Sequence, residues 1–169
     1  MRLYLMRHAE AAPHGTYARD EDRPLTDEGR SQAREVAKGL QRLKILPDVI
    51  VSSPYVRAVQ TADEVQRVLG EQIKRQELGA LRSESYSRDT SLALKLFSPY
   101  EHVLLVGHEP HLSAWISELV AGEGGMHCVM KKAGVACIDI DQVPPRSGSG
   151  TLRWLMKPKH LALIGTSKD

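Results

Sequence analysis

The stretch RLYLMRHAE, residues 2–10, decides the fold class, because an apolar run ends abruptly in arginine, histidine and glutamate. Residues 2–7 predict a short strand that begins the fold. The same order of apolar and then polar residues recurs in DVIVSSPYVRA at 48–58 and in HVLLVGHEP at 102–110. Continuous apolar runs of this length are typical of strands buried on both faces of a parallel sheet.

Helix-like segments separate these strands, with apolar residues at helical spacing. The predicted helices cover residues 26–44, 55–69, 89–98 and 111–121. A weak strand is predicted at 73–78, and two late strands at 135–140 and 151–156 favour a hairpin at one edge of the sheet. Strands that alternate with helices predict an α/β fold, a three-layer α/β/α sandwich with a mostly parallel sheet.

The composition is that of one ordinary globular domain covering residues 1–169, with 41 % hydrophobic and 26 % charged residues. The 23 lysines and arginines are interleaved with 21 acidic residues, which gives a net charge of +2. With one Phe, two Trp and five Tyr there is little aromatic surface for stacking bases, so nucleic-acid binding is not expected.

Location and assembly are predicted from what the sequence lacks. No stretch approaches the roughly 20 apolar residues of a membrane span, and the first apolar run is too short for a signal peptide. Cys128 and Cys137 fit neither a disulfide framework nor a zinc or redox motif. We therefore expect a cytoplasmic protein that makes no membrane contact, and a monomer because no apolar stripe is left over.

Candidate site residues follow the strands, where the ligand site of an open α/β sheet lies. Arg7 and His8 end the first apolar run, Arg57 lies in the first turn of a helix, and His108 follows the clearest strand. Phosphoryl transfer suits this set, because the planar arginine fork binds oxyanions and is always charged. The same cations disfavour protonation of a neighbouring imidazole and keep it nucleophilic.

The combined motifs resemble those of the histidine phosphatase superfamily, which includes phosphoglycerate mutases and histidine acid phosphatases. They are LMRHAE at 5–10, SSPYVRAVQTA at 52–62, VGHE at 106–109, and PLT at 24–26 followed by Gly29. The combination is far more specific than any single piece. The resemblance implies a phosphoglycerate mutase-like fold and metal-independent catalysis through a covalent phosphohistidine, with no cofactor.

The resemblance also implies residue roles. His8 would be the nucleophile, Arg7 and Arg57 would clamp the phosphoryl oxygens, and His108 would donate a hydrogen bond to the phosphoryl group. Ala9 stands where the family usually has glycine, so a positive φ is not expected there.

The proton donor is left open between three carboxylates. Glu109, directly after His108, is the first candidate, as in the acid phosphatase branch; Glu10 is the second and Glu84 the third. A phosphorylated imidazole needs no strong acid, because its other ring nitrogen can already carry a proton and the ring then leaves as a neutral molecule, whereas an alkyl ester would need one.

The substrate class is predicted from the short segment between Arg57 and His108, where larger members of the family insert helices that cap the pocket. A chain without that cap should have an open site, which suits a phosphorylated group on a protein surface. The length, KKAGVA at 131–136 and LMKPK at 155–159 resemble the small SixA-type phosphohistidine phosphatases. The implied partner is a histidine phosphotransfer domain of a signalling relay.

Three other functions remain as alternatives. They are a phosphatase of a small phosphomonoester with the same mechanism, a phosphorelay carrier that only stores a phosphoryl group, and an inactive module that binds phosphohistidine. The HEPH stretch at 108–111 departs from the zinc motif HExxH, because its histidines are three residues apart with proline between them. No metal is predicted.

Overall fold

A computed structural model describes residues 1–122 and 125–167, and a mixed sheet runs through its centre. Its strands are β1 (Arg2–Arg7), β2 (Val49–Ser52), β3 (Lys74–Glu77), β4 (His102–Gly107), β5 (Val135–Asp139) and β6 (Thr151–Met156). They lie in the order β3-β2-β4-β1-β5-β6, with β1 to β4 parallel and β5 antiparallel to both of its neighbours. The mostly parallel sheet and the late hairpin at its edge are therefore confirmed.

Helices cover both faces of the sheet. They are α1 (Asp27–Arg42), α2 (Val56–Leu69), α3 (Ser87–Ala93), α4 (His111–Ala121) and α5 (Pro158–Thr166). Helix α1 contacts α2 and α5 on one face, and α3 contacts α4 on the other. None of the helices in residues 1–122 and 125–167 has the length and hydropathy of a membrane-spanning segment.

The core has two layers because alternate residues of a strand point to opposite faces of the sheet. In β1, Tyr4 and Met6 pack with α1 and α2, whereas Leu3 and Leu5 pack with α4. All four are buried, as the apolar run predicts for a central strand. The three-layer α/β/α sandwich is confirmed.

Two predicted helices differ in detail from the structure. Helix α1 begins at Asp27, because the Thr26 side chain caps it by accepting a hydrogen bond from the Gly29 N–H at 3.0 Å. It ends before Lys44, which has a positive φ of 57°. The predicted helix 89–98 is instead α3 followed by a 3₁₀ turn, Leu94–Phe97.

Helix α5 was not predicted from the sequence. Its first residue is Pro158, a residue that favours the start of a helix, and only Leu161 is fully buried along its length. One buried position makes no apolar period, so the segment lacks the signal that identifies the other helices.

Candidate active site

The ends of β1, β2 and β4 bring the polar residues to one rim. Register pairs Arg7 with Gly107, and the His8 N–H donates to the Gly107 carbonyl at 2.9 Å. A cavity of about 340 Å³ opens there. Its walls include five predicted site residues: Arg7, His8, Arg57, His108 and Glu109.

His8 is held in one tautomer. Its ring is only 7 % exposed, and Nδ1 lies 2.7 Å from the Ala9 carbonyl oxygen. Because a carbonyl can only accept, Nδ1 carries the proton and Nε2 keeps its lone pair. Burial, reinforced by the charges of Arg57 and Arg7, lowers the pKa of His8 to about 3 despite the opposing hydrogen bond to Ala9. The imidazole is therefore neutral near pH 7, with Nε2 able to act as a nucleophile.

The loop after β1 is fixed by Thr61 of α2. Its Oγ1 accepts from the Ala9 N–H at 3.1 Å and donates to the Arg57 carbonyl at 2.6 Å. Ala9 is fully buried and does not have a positive φ, as its side chain predicts. The hydroxyl of one threonine thus ties the segment that carries His8 to the helix that carries Arg57.

Both predicted arginines are anchored with part of the guanidinium unused. Arg57 donates through Nη1 to the Asp20 carbonyl at 2.7 Å and through Nη2 to the Asp20 carboxylate at 2.9 Å. Arg7 donates through Nη1 to the Met130 carbonyl at 2.8 Å. The Nε of each arginine is buried and finds no acceptor among the described residues. Such unpaired charged donors are suited to an incoming oxyanion.

His108 is the most completely unpaired polar group in the cavity wall. It is 1 % exposed, and neither ring nitrogen has a hydrogen-bond partner within residues 1–122 and 125–167. Burial, with the nearby His8 and Arg57, lowers its pKa to about 2, so the ring is neutral with one N–H to donate. The ring centroids of His8 and His108 are 5.0 Å apart. A buried donor without a partner costs about 1–3 kcal/mol, which a bound phosphoryl oxygen would recover.

Two further residues of the site were missed by the sequence analysis. Arg23 is 5 % exposed, lines the cavity, and donates through Nε to Asp20 at 2.7 Å. Burial raises the pKa of the Asp20 carboxyl, but Arg23 and Arg57 outweigh that and lower it to about 2. Asp20 is thus an anion that holds two arginines together. The one signal for Arg23 was its position directly before the PLT motif.

The first two candidate acids are engaged in other contacts. Both oxygens of Glu109 accept from Ser113 in the first turn of α4, at 3.2 Å from N–H and 2.6 Å from Oγ. Both oxygens of Glu10 accept from the Lys132 Nζ at 2.8 Å. These carboxylates line the cavity as hydrogen-bond acceptors.

The third candidate, Glu84, is not among the residues that line the cavity. Both of its oxygens accept from the Tyr55 hydroxyl at 2.9 Å. No cluster of three His, Cys, Asp or Glu side chains that could hold a metal occurs among the residues that the structure describes.

Comparison with known proteins identifies the family. The model of the histidine phosphatase superfamily (branch 1) matches residues 3–86. An uncharacterised protein of Picosynechococcus is 35 % identical over 143 residues, which are 80 % of this chain and 82 % of that protein. This chain belongs to the histidine phosphatase superfamily. The chain is a phosphatase, which is a hydrolase.

Within the superfamily, SixA proteins are similar over nearly the whole chain. The phosphohistidine phosphatase SixA of Escherichia coli is 29 % identical over 96 % of this chain and 98 % of that protein. A structure of the protein histidine phosphatase SixA with tungstate matches with a TM-score of 0.83 at 29 % identity, over 95 % and 99 % of the two chains. A putative alpha-ribazole-5'-P phosphatase from E. coli shares the histidine phosphatase fold, with a TM-score of 0.73 at 23 % identity over 94 % and 97 %.

Proposed function

We propose that this phosphatase hydrolyses phosphohistidine on a protein, the phosphotransfer domain of a signalling relay, through a covalent phosphohistidine on His8. The main support is that the cavity leaves a nucleophile and cationic donors free while its carboxylates are already hydrogen-bonded. A neutral His8 with a free Nε2 lies among unpaired cationic donors, whereas Glu109 and Glu10 are occupied by Ser113 and Lys132. Such a site binds and accepts a phosphoryl group readily but offers little help to a poor leaving group.

The first chemical step transfers the phosphoryl group to His8. Arg7, Arg57 and Arg23 neutralise the phosphoryl oxygens, and His108 donates a hydrogen bond to one of them. His8 Nε2 then attacks phosphorus, and the P–N bond to the substrate imidazole breaks with its electron pair going to that nitrogen. The leaving imidazole already carries a proton on its other nitrogen, so it departs as a neutral molecule.

The second step returns the enzyme to its starting state. Water attacks the phosphoryl group on His8, and the bond between Nε2 and phosphorus breaks with its electron pair returning to Nε2. Dihydrogen phosphate leaves with the water oxygen and both of its protons. The hydrogen bond from Nδ1 to the Ala9 carbonyl persists throughout and stabilises the positive charge of the phosphorylated ring. Neither step requires a metal or a separate cofactor.

A protein substrate is favoured by the walls of the cavity. None of its lining residues comes from the segment 58–107, which in larger relatives would carry the cap. That segment is instead used by α2, β3, α3 and β4 of the sandwich. That segment therefore contributes no wall between His8 and a histidine on the surface of another protein.

The proposal is tested by comparing phosphate release from two substrates at equal concentration. One is a histidine phosphotransfer domain phosphorylated with phosphoramidate, and the other is glycerol 3-phosphate, an alkyl ester with a poor leaving group. We expect faster release from the domain, and no release by a His8→Ala variant that folds normally by circular dichroism. Faster release from the ester would refute the proposal and favour a phosphatase of small phosphomonoesters, with Glu109 as its acid.

A further inference from the structure

A second cavity, of about 440 Å³, adjoins the first and is strongly basic. It shares Arg7 and Lys132 with the catalytic cavity, so the two cavities lie next to each other. Its other walls include Lys131, Lys157 and Lys159, which with the two shared residues make five cationic side chains, and none of its lining residues is acidic. We call Lys131, Lys157 and Lys159 the lysine rim.

The sheet brings the lysine rim together from two distant parts of the sequence. Strand β5 begins at Val135, which pairs with Met156 near the end of β6. The segment before β5 and the segment after β6 therefore lie side by side. The first carries Lys131 and the second carries Lys157 and Lys159.

The segment before β5 is hydrogen-bonded to the end of β1, where Arg7 and His8 lie. The Ala133 N–H donates to the carbonyls of Arg7 at 3.0 Å and His8 at 3.1 Å, and the Arg7 N–H donates to Gly134 at 3.1 Å. Because these bonds join backbone to backbone, the position of Lys131 is set relative to His8 itself. The basic cavity is thus a fixed extension of the catalytic one.

The charges of the lysine rim are available to a partner. All three side chains are exposed, and none lies within 4.0 Å of a carboxylate in residues 1–122 and 125–167. The fourth lysine, Lys132, differs because Glu10 pairs with it. Three unpaired charges on one rim are a local excess in a chain whose net charge is only +2.

We infer that the lysine rim docks acidic side chains that flank the phosphohistidine on the partner protein. This inference rests on the proposed function, because it requires a protein that places its phosphoryl group between Arg7 and His8. A substrate seated there puts neighbouring surface over the adjoining basic cavity. Complementary charge at that point steers the encounter and fixes its orientation, and salt weakens the effect because the lysines are exposed.

The test is a variant that combines Lys131→Glu, Lys157→Glu and Lys159→Glu. Its kcat/KM is measured on a phosphorylated histidine phosphotransfer domain that has acidic residues around its histidine. The matched control changes Lys38, Lys74 and Lys95 to Glu; these lysines are exposed and do not line either cavity. Both variants carry the same change in net charge. Each is also assayed on free phosphohistidine, which has the phosphoryl group but no protein surface.

We expect the lysine-rim variant to lose roughly tenfold or more in kcat/KM toward the domain, since electrostatic steering raises association rates by about 10–10³. Its kcat/KM toward free phosphohistidine should stay within about twofold of the parent, as should both values of the control. The difference in kcat/KM between the variant and the parent should disappear when the flanking acids of the domain are changed to amides. It should also disappear at high salt.

Each other outcome overturns the docking inference. An equal loss on free phosphohistidine would mean that the lysines act on the phosphoryl group itself. An equal loss in the control would mean that net charge matters rather than the rim, and no loss at all would mean that the rim is solvated surface. If the parent hydrolyses free phosphohistidine but not the domain, the proposed function fails and the inference fails with it. Assay of the parent alone therefore separates this outcome from a failure of the docking inference only.

Discussion

Acid should destabilise this protein through two histidines that are buried without charge. His8 and His108 are 7 % and 1 % exposed, and their pKa values are lowered from 6.5 to about 3 and about 2, mainly by burial. In the unfolded chain both rings return to water and titrate near their ordinary value. Lowering the pH from 7.5 to 5.0 should therefore reduce the free energy of unfolding.

The sign and the size follow from proton binding. Between about pH 6.5 and pH 3 the unfolded chain holds protons on these rings that the folded chain does not, so stability falls as the pH falls. At pH 5.0 an unfolded histidine lies about 1.5 pH units below its pKa, which is worth about 2 kcal/mol for each ring. The two rings together give about 4 kcal/mol, a large part of the 5–15 kcal/mol that typically stabilises a domain.

Urea unfolding at the two pH values measures this effect. The comparison is between the parent, a His8→Asn/His108→Asn variant, and a His160→Asn control at an exposed position of α5. Carboxylates contribute equally to all three proteins and cancel in the difference. The parent and the control should lose about 4 kcal/mol more than the double variant on going to pH 5.0. An equal loss in all three proteins would refute the buried neutral state of both rings.

Three further predictions concern single residues, and the first of them has a matched control at Gly79. Gly29→Ala should destabilise the fold by about 1–3 kcal/mol, because a Cβ there would lie 1.9 Å from the Glu10 carbonyl oxygen. Gly79→Ala, with nothing nearer than 3.9 Å, should change the free energy of urea unfolding by less than about 0.5 kcal/mol. Arg57→Lys should lower kcat/KM by roughly 10–100-fold in a phosphate-release assay, because lysine lacks the planar fork; an unchanged value would exclude a clamping role. Glu109→Ala should lower the free energy of urea unfolding by about 1 kcal/mol, because it removes the acceptor of the Ser113 N–H in the first turn of α4, yet keep turnover of phosphohistidine within about threefold; a collapse of turnover would identify it as the acid.

The fold was predictable wherever burial leaves a pattern in the sequence. Strand β4 was identified from its continuous apolar run, and helix α1 from apolar residues at helical spacing. Helix α5 was not, because it buries one residue and is stabilised by contact with α1. The Gly165 backbone there approaches Gly39 closely, a contact between residues far apart in sequence that no local pattern records.

The candidate site was predictable to the extent that it lies at strand ends. His8 and His108 follow β1 and β4 directly, so the topology of the sheet alone places them together. Arg23 and Asp20 lie far beyond the end of β1, in the connection that leads to α1, and Asp20 meets Arg57 across 37 positions of sequence. Such partners are set by tertiary packing. The hydrogen bonds from Ser113 to Glu109 were equally unpredictable, because the sequence does not show whether that carboxylate turns toward α4 or into the cavity.

The instability expected in acid and the reactivity proposed for His8 have one physical cause. A histidine beside arginines in water would still be protonated in part near pH 6, and its Nε2 would then be no nucleophile. Burial removes that protonated state, and the Ala9 carbonyl selects the tautomer with Nε2 free. The same burial leaves both ring nitrogens of His108 without a partner among the described residues, and the phosphoryl oxygen of the proposed substrate would supply one. A substitution that solvates this cavity should therefore reduce the loss of stability between pH 7.5 and pH 5.0 while it lowers turnover at pH 6.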